Sequence, residues 1–486
     1  MDSSSSQVSR RHIFDGTLRV FLAEALFLPT GLITTVFLTH RLGSSGYGLY
    51  ALVATLIAWI EWGIASLFSR PTIKYISEAE DWRPVGASLI RLHLLVSTGI
   101  VALLWLLSTF IARLLHEPIL AAYIRLFALD IPLFSITYAY RNILIGLGSF
   151  RQRALISAGR YIARLLLIVL LVELGFSIPG AILGSMGASL VEFLIGYFYL
   201  RPSLFGRSNL PTWKFWENAI PLFLSALSVS LYNRLDLFIL KGLGATTEQT
   251  GIYNVAQNLA VIPGTFALSF SPLLLSTLSR LLRTGNSYQA KELGRDAMRL
   301  VIGLLPFTAM VAGAAPDIVQ LVFGPTFLPA APLLALLNFG SMILVLVSVA
   351  TSILISVNRS TWAFALTGPL PLLAIVGHLV LIPRLGALGA SLVTALVASL
   401  GAGMAVLTVY YIWQILPPAG TLWRSILVCG LAYLLAVLWP VPNLLLLIKL
   451  PIIGFLIPLA FLALGEFSAK EIAWARAFLY RQILPS

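Results

Sequence analysis

Cysteine is all but missing: Cys429 is the one thiol in 486 residues, and it sits inside an apolar run. A lone thiol supports neither a disulfide framework nor a cysteine–metal cluster within the chain. Charge is scarce too. Charged residues make up 10% of the chain, against about 25% in an ordinary soluble protein. With 59% of residues hydrophobic, the apolar surface exceeds what a soluble core absorbs. Long polar segments are lacking, so no separate soluble domain is expected. No HExxH, GxSxG or Asp-rich motif stands in an accessible loop, which argues against a metalloprotease or serine-hydrolase site. No cofactor is expected, and the chain does not read as an enzyme.

What is present is length. Apolar runs of roughly 20 residues are long enough to cross a bilayer as helices. About fourteen can be drawn, from 17–39 and 47–69 to 443–465. The shallowest breaks fall between runs 153–174 and 178–200, around Gly175–Pro179, and around Pro440–Pro442. The expected fold class is an all-α polytopic membrane protein with about 14 transmembrane helices.

Net charge is +13. In a soluble chain that would suggest nucleic acid. In a membrane chain it reads as basic loops held on the cytoplasmic side, and no nucleic-acid partner is expected. With the N-terminus inside, the inner loops collect Arg70, Lys74 and Arg83, then Arg201, Arg207 and Lys214, then Arg280, Arg283, Lys291 and Arg295. The outer loops hold Arg41, Arg113, Lys241 and Arg384. The agreement runs loop after loop, so both termini are expected in the cytoplasm. The polar stretch 1–16 reads as a retained cytoplasmic tail, and 466–486 as an amphipathic cytoplasmic tail on the membrane surface.

The chain also echoes itself. "RLGSSGYGLY" at 41–50 reappears as "GLGATTEQTGIY" at 242–253, and "PGAILGS" at 179–185 resembles "LGASLVT" at 388–394. These matches register span 1 with span 7 and span 5 with span 11. A shift of six spans keeps the membrane orientation, which gives parallel repeats, a transporter architecture. The expected organisation is a six-helix bundle over 17–200, a cytoplasmic linker at 201–217, a second six-helix bundle over 218–413, and two additional helices over 422–465. The three glycines of "RLGSSGYGLYAL" superficially suggest a phosphate loop. They lack the preceding strand and the Lys-Ser/Thr that such a loop needs, so we read them as a tight turn between spans.

Those same residues carry a family resemblance. "LGSSGYGLYALVATLIAWIEWGIASLFSRPTIKYISE" resembles the second-span region of the polysaccharide transporter (Wzx-type oligosaccharide flippase) family, in the multidrug/oligosaccharidyl-lipid/polysaccharide exporter superfamily. "LDLFILKGLGATTEQTGIYNVAQNLAVIPGTFALSFSPLLLSTLSRL" is similar to its seventh and eighth spans, and "LGALGASLVTALV" to its twelfth. The resemblance implies a V-shaped pair of six-helix bundles working by alternating access in the cytoplasmic membrane. It implies a substrate, an undecaprenyl-pyrophosphate-linked oligosaccharide destined for cell-surface polysaccharide such as lipopolysaccharide. Membrane lipid, a polysaccharide polymerase and glycosyltransferases are the partners it implies. A cation-coupled multidrug antiporter and a lipid II flippase of the same superfamily are the alternatives. A membrane-embedded polymerase or ligase resembles proteins with a large outer loop, whereas every outer loop here is short.

Ionisable groups at membrane depth are costly and therefore candidates for function. The acidic ones are Glu24, Glu61, Asp130, Glu192 and Asp236; the basic ones include Arg91, Arg125, Arg141, Arg160, Arg164, Arg234 and Lys449. A guanidinium presents a planar fork to phosphate oxygens. Arg160, Arg164, Arg141 and Arg234 are therefore the cavity candidates for a lipid pyrophosphate, with Arg160 and Arg164 four apart on one helix face. Glu24, Asp236, Asp130 and Glu61 are candidates for a coupling ion or for structural ion pairs. Arg91, Arg125 and Lys449 fit snorkelling to an interface, and His378 fits a packed core histidine. Pro29 with Gly31, Pro132, Pro221, Pro263-Gly264, Pro272, Pro306 and Pro369/Pro371 are hinge candidates.

Overall fold

The structure, a computed structural model, describes residues 23–201, 235–441, 443–468 and 471. Among these residues every regular element is helical, and eleven helical segments are long and apolar enough to cross a membrane. This is a multi-pass membrane protein. A bilayer offers no water to backbone N–H and C=O groups, so a spanning segment must satisfy them within its own helix.

Helix α1 runs Phe27–Ser77, 51 residues. Unbroken it would extend about 75 Å, far beyond a hydrocarbon core about 30 Å thick. Gly43 interrupts it at φ 68°, a backbone conformation open to glycine, which divides it at the expected boundary between runs 17–39 and 47–69. Next come α2 (Trp82–Leu114), α3 (Leu120–Ala128), α4 (Asp130–Gly146) and α5 (Phe150–Leu171). Asp81 caps α2 by accepting from the Arg83 N–H at 3.0 Å. A π turn, Val172–Phe176 with Gly175 at φ 92°, links α5 to α6 (Ser177–Leu200), where the shallow break in the sequence lies. The expected seventh span, 218–240, lies outside the described residues as far as 234. The remaining elements are α7 (Thr247–Ala260), α8 (Ile262–Arg283), α9 (Ser287–Gly313), α10 (Ala315–Phe323), α11 (Ala330–Ser356), α12 (Ser360–Thr367), α13 (Pro369–Leu385), α14 (Ala387–Trp413), α15 (Ala419–Leu438) and α16 (Leu446–Ala463).

Several hinge-candidate prolines fall at breaks inside continuous helical segments. Pro29, Pro132, Pro263 and Pro369/Pro371 follow single turn residues of helical backbone conformation, Leu26, Leu129, Val261 and Gly368, within the segments Ala23–Ser77, Leu120–Gly146, Thr247–Arg283 and Thr361–Leu385. A proline there removes a helical hydrogen bond and interrupts the ladder. Pro272 in α8 and Pro306 in α9 are interior. Pro221 lies outside the described residues.

The chain divides into two compact units, Met1–Asn254 and Val255–Ser486. In unit 1, α1 packs on α4, α5 and α6, and α2 packs on α3 and α4. In unit 2, α11 is central: Val345, Val349, Ile353 and Leu354 meet Met298 and Val301 of α9 and Ala405 and Val409 of α14. The last two helices join through a separate apolar cluster, where Val428, Ala432 and Ala436 of α15 and Ile453 and Ile457 of α16 pack with Met310.

Within unit 1 the two echoed turns meet. The matched glycines Gly43 and Gly244 both have positive φ, 68° and 99°. The matched pair Gly48 and Gly251 each sit against the backbone of the other's segment. A Cβ on Gly48 would lie 1.9 Å from the Thr247 carbonyl oxygen, and one on Gly251 would lie 2.3 Å from that of Ser44. Each belongs to a small-xxx-small pair, Ser44–Gly48 and Thr247–Gly251, of the kind that lets membrane helices approach backbone to backbone. Polar contacts lace the crossing: Ser44 Oγ donates to Glu248 at 3.2 Å, Tyr47 Oη donates to Asn254 at 2.8 Å, and the Ser45 and Thr247 hydroxyls lie 3.1 Å apart.

Candidate functional site

The candidate site grows from α5. Arg160 and Arg164 stand one turn apart on it, and both reach α1. Arg160 lies 3.6 Å from Glu61, and Arg164 donates to the Tyr50 hydroxyl at 3.4 Å. Helix α6 supplies Glu192, which has no exposed surface. Glu192 lies between two guanidiniums, 3.1 Å from Arg141 of α4 and 3.4 Å from Arg160. One turn earlier on α6, Ser189 donates to Asp130 at 3.0 Å. Aromatic faces complete the packing: Arg141 lies over Tyr138, 4.9 Å from the ring centroid, and Arg160 over Phe134 at 4.8 Å.

A guanidinium drawn out of water into an apolar interior carries a desolvation cost that pairing and ring faces offset. Glu192 and Glu61 supply two negative charges to Arg141 and Arg160, so this part of the cluster is balanced without an outside ion. The balance is not uniform. Glu192 is sealed, whereas the Arg160 and Glu61 side chains each keep 14% of their surface exposed and form the longest contact of the group. Arg160 and Glu61 are thus the more exposed edge of the cluster.

Other candidates fall elsewhere in unit 1. Glu24 gathers three groups from α5: Arg153 at 3.1 Å, Ser157 at 3.2 Å and Tyr161 at 2.6 Å. Beside it is an open depression of about 500 Å³ lined by Ala23, Arg151, Ala154, Leu155 and Ala158. Asp236 is buried and accepts from Tyr253 Oη at 2.5 Å and from the Leu237 N–H at 2.8 Å. Arg234 lies outside the described residues. The structure therefore joins Arg141, Arg160 and Glu61 in one cluster, with Asp130 beside them, and holds Glu24 and Asp236 in separate polar settings.

Sequence reasoning picked out Arg141 and Arg160 but gave Glu192 no role, although it is the residue that joins them. The signal was present, since Glu192 is the one acid in the run 178–200. Tyr161, Ser189 and the rings of Phe134 and Tyr138 carried no such signal. Lys449 corrects an expectation. It does not snorkel: it is fully buried in α16, and its Nζ donates to Asp317 of α10 at 2.7 Å. Its carboxylate partner lies near a helix start, so the pair ties α16 to α10. His378 is buried, as expected of a core histidine.

Unit 2 also holds Glu466, just after α16. Its Oε1 accepts from Thr421 at 2.5 Å and from Arg299 Nε at 2.7 Å, and its Oε2 from Arg424 at 2.8 Å. Desolvation pushes its carboxyl up, but hydrogen bonds from Thr421, Arg424 and Arg299 outweigh it and hold the group below the usual carboxylate range.

Comparison with known proteins adds to this geometry. A family model described as "Polysaccharide biosynthesis protein" matches residues 14–276. A protein named "Probable flippase AglR", from Haloferax volcanii, is 24% identical over 416 residues, covering 82% of this chain and 84% of that protein. Among solved structures, the lipid II flippase MurJ in an inward closed conformation matches with a TM-score of 0.69 at 16% identity, over 93% of this chain and 98% of that one. A mutant form of the MATE transporter VcmN of Vibrio cholerae matches with a TM-score of 0.58 at 15% identity, over 85% and 98%. At these identities the two structures show a shared fold.

Proposed function

The chain belongs to the polysaccharide biosynthesis protein family, and from that premise we propose that it is a flippase for a lipid-linked oligosaccharide. The carrying observation is the cluster of Arg141, Arg160, Glu61 and Glu192, built at membrane depth with Arg160 and Glu61 at its more exposed edge. Ionisable groups at membrane depth are costly, which makes such a cluster a functional candidate. A path for an apolar drug has no need of paired guanidiniums, whereas a diphosphate headgroup does. AglR, named a probable flippase, supports the same reading along most of the chain.

In this reading the substrate is an undecaprenyl-pyrophosphate-linked oligosaccharide. It moves from the cytoplasmic to the outer leaflet of the cytoplasmic membrane by alternating access, with both termini on the cytoplasmic side. Arg160 and Arg164, with Arg141 and Arg234, receive the phosphates. A phosphate oxygen takes the place of Glu61 beside Arg160, while Glu192 holds both Arg141 and Arg160 in position. Glu24, Asp130, Asp236 and Glu61 are the carboxylates open to a coupling cation.

The test is reconstitution. Full-length protein in vesicles, given a fluorescent prenyl-pyrophosphate-linked glycan, should deliver it to the opposite leaflet. The R160A/R164A variant should reach the membrane folded and move none. Full transport by that variant removes the cavity assignment. Drug efflux with no glycan movement, across several glycans, removes the flippase reading.

A further inference from the structure

One cation of unit 1 belongs to none of these clusters. Arg125 of α3 is exposed on the outside of the unit, among apolar side chains that face outward: Leu103 is 55% exposed and Leu106 81%. Its guanidinium is nevertheless held. Nε donates to Ser108 Oγ at 2.8 Å and Nη2 to Thr109 Oγ1 at 3.0 Å. The Ser108 hydroxyl sends its own proton to the Trp105 carbonyl at 2.8 Å, which leaves its lone pairs for Arg125. The Trp105 indole N–H in turn donates to the Arg125 carbonyl at 3.1 Å. Side chain and backbone are thus both pinned to α2, beside an open depression lined by Ala102, Trp105, Leu106 and Arg125.

Among the described residues the guanidinium has no carboxylate in salt-bridge contact. Its partners among the described residues are hydroxyls. The carboxylates near it in sequence are engaged elsewhere, Glu117 with Lys241 at 2.9 Å and Asp130 with Ser189 at 3.0 Å. Ser108 lies six residues before α2 ends at Leu114, and Arg125 five residues after α3 begins at Leu120. At a rise of 1.5 Å per residue they stand about 9 Å and about 7.5 Å from those helix ends, within reach of the interfacial zone if the helices end at the membrane surface. A free side chain would swing up to water. This one is tied down by two hydroxyls while the residue stays exposed.

We propose that Arg125, Ser108, Thr109 and Trp105 form a binding site for the phosphate of a membrane lipid on the outer surface of unit 1. The guanidinium takes the phosphate oxygens, Trp105 lies at the interface where its ring is at home, and the acyl chains follow the exposed face of α2. The apolar surround selects a lipid over a soluble anion.

Native mass spectrometry of the delipidated full chain tests this, with dioleoyl phosphatidic acid, dioleoylglycerol and inorganic phosphate as probes. Wild-type protein should retain phosphatidic acid well above dioleoylglycerol. R125A should lose about tenfold in that preference, the scale of one charged hydrogen-bonded contact. S108A/T109A, which keeps the charge but frees it, should fall between the two. If R125A does not fold, R125Q and S108A/T109A carry the same comparison. Unchanged retention in these variants overturns the site, and so does inorganic phosphate binding as strongly as phosphatidic acid.

Discussion

The two units differ in how they hold a fully buried charge, Glu192 in one and Lys449 in the other. Unit 1 pools it: Arg141, Arg160, Glu61 and Glu192 share partners across three-way contacts, and no single bond defines the group. In unit 2 the fully buried Lys449 has a discrete tie to Asp317, while Glu466, just past α16, gathers Arg299, Arg424 and Thr421. A shared network can exchange one partner for an incoming anion and keep the others. A dedicated tie can only hold or break. The difference separates a place suited to handling substrate from places that fasten α15 and α16 to the bundle.

The comparison is broken most forcefully at Glu192. E192Q leaves Arg141 and Arg160 without their shared charge. It should cost about 3–5 kcal/mol and abolish glycan movement, read by thermal melting in detergent and by the vesicle assay. Transport at the wild-type rate would show that the pool is only structural. Next is the Lys449 tie, which should be asymmetric. D317N strands a fully buried ammonium and should also cost about 3–5 kcal/mol, while K449M leaves a partly exposed carboxylate and should cost about 1–3 kcal/mol. Protein of either kind that remains folded should still transport; equal melting shifts would refute the asymmetry. Gly48→Val forces a side chain into the Thr247 carbonyl and should destabilise by about 1–3 kcal/mol, with G251V matching it because the contact is reciprocal. The smallest effect belongs to Glu466. Its lowered carboxyl contributes stability that is fully present above the ordinary value of 4.5 and is lost as pH falls through the lower, folded value. E466Q should therefore flatten the loss of melting temperature that the wild type shows as pH falls below 4.5.

Much of the fold was legible because a membrane imposes one dominant rule. Length and apolarity located the spans, and the glycine-bearing breaks at Gly43 and Gly175 fell where polar or small residues interrupted the runs. The echo of 41–50 in 242–253 was visible as letters, but not that the two turns pack on each other, since repetition carries no information about contact. The charges were legible as a set and not as pairs. Glu192 gained its role because α6 brings it between α4 and α5, a matter of tertiary packing. Asp317 was missed because it stands just past an apolar run, where a carboxylate looks solvated.

The seat shared by Gly48 and Gly251 has a consequence for the protein's history. Two similar segments of one chain are ordinarily free to change, each under its own constraints. Here each segment is the other's steric environment. A side chain acquired by one glycine meets the backbone of the opposite segment, where no change of residue can make room. At this crossing the two echoing turns can change only as a couple, and an alteration in one is a lesion in both.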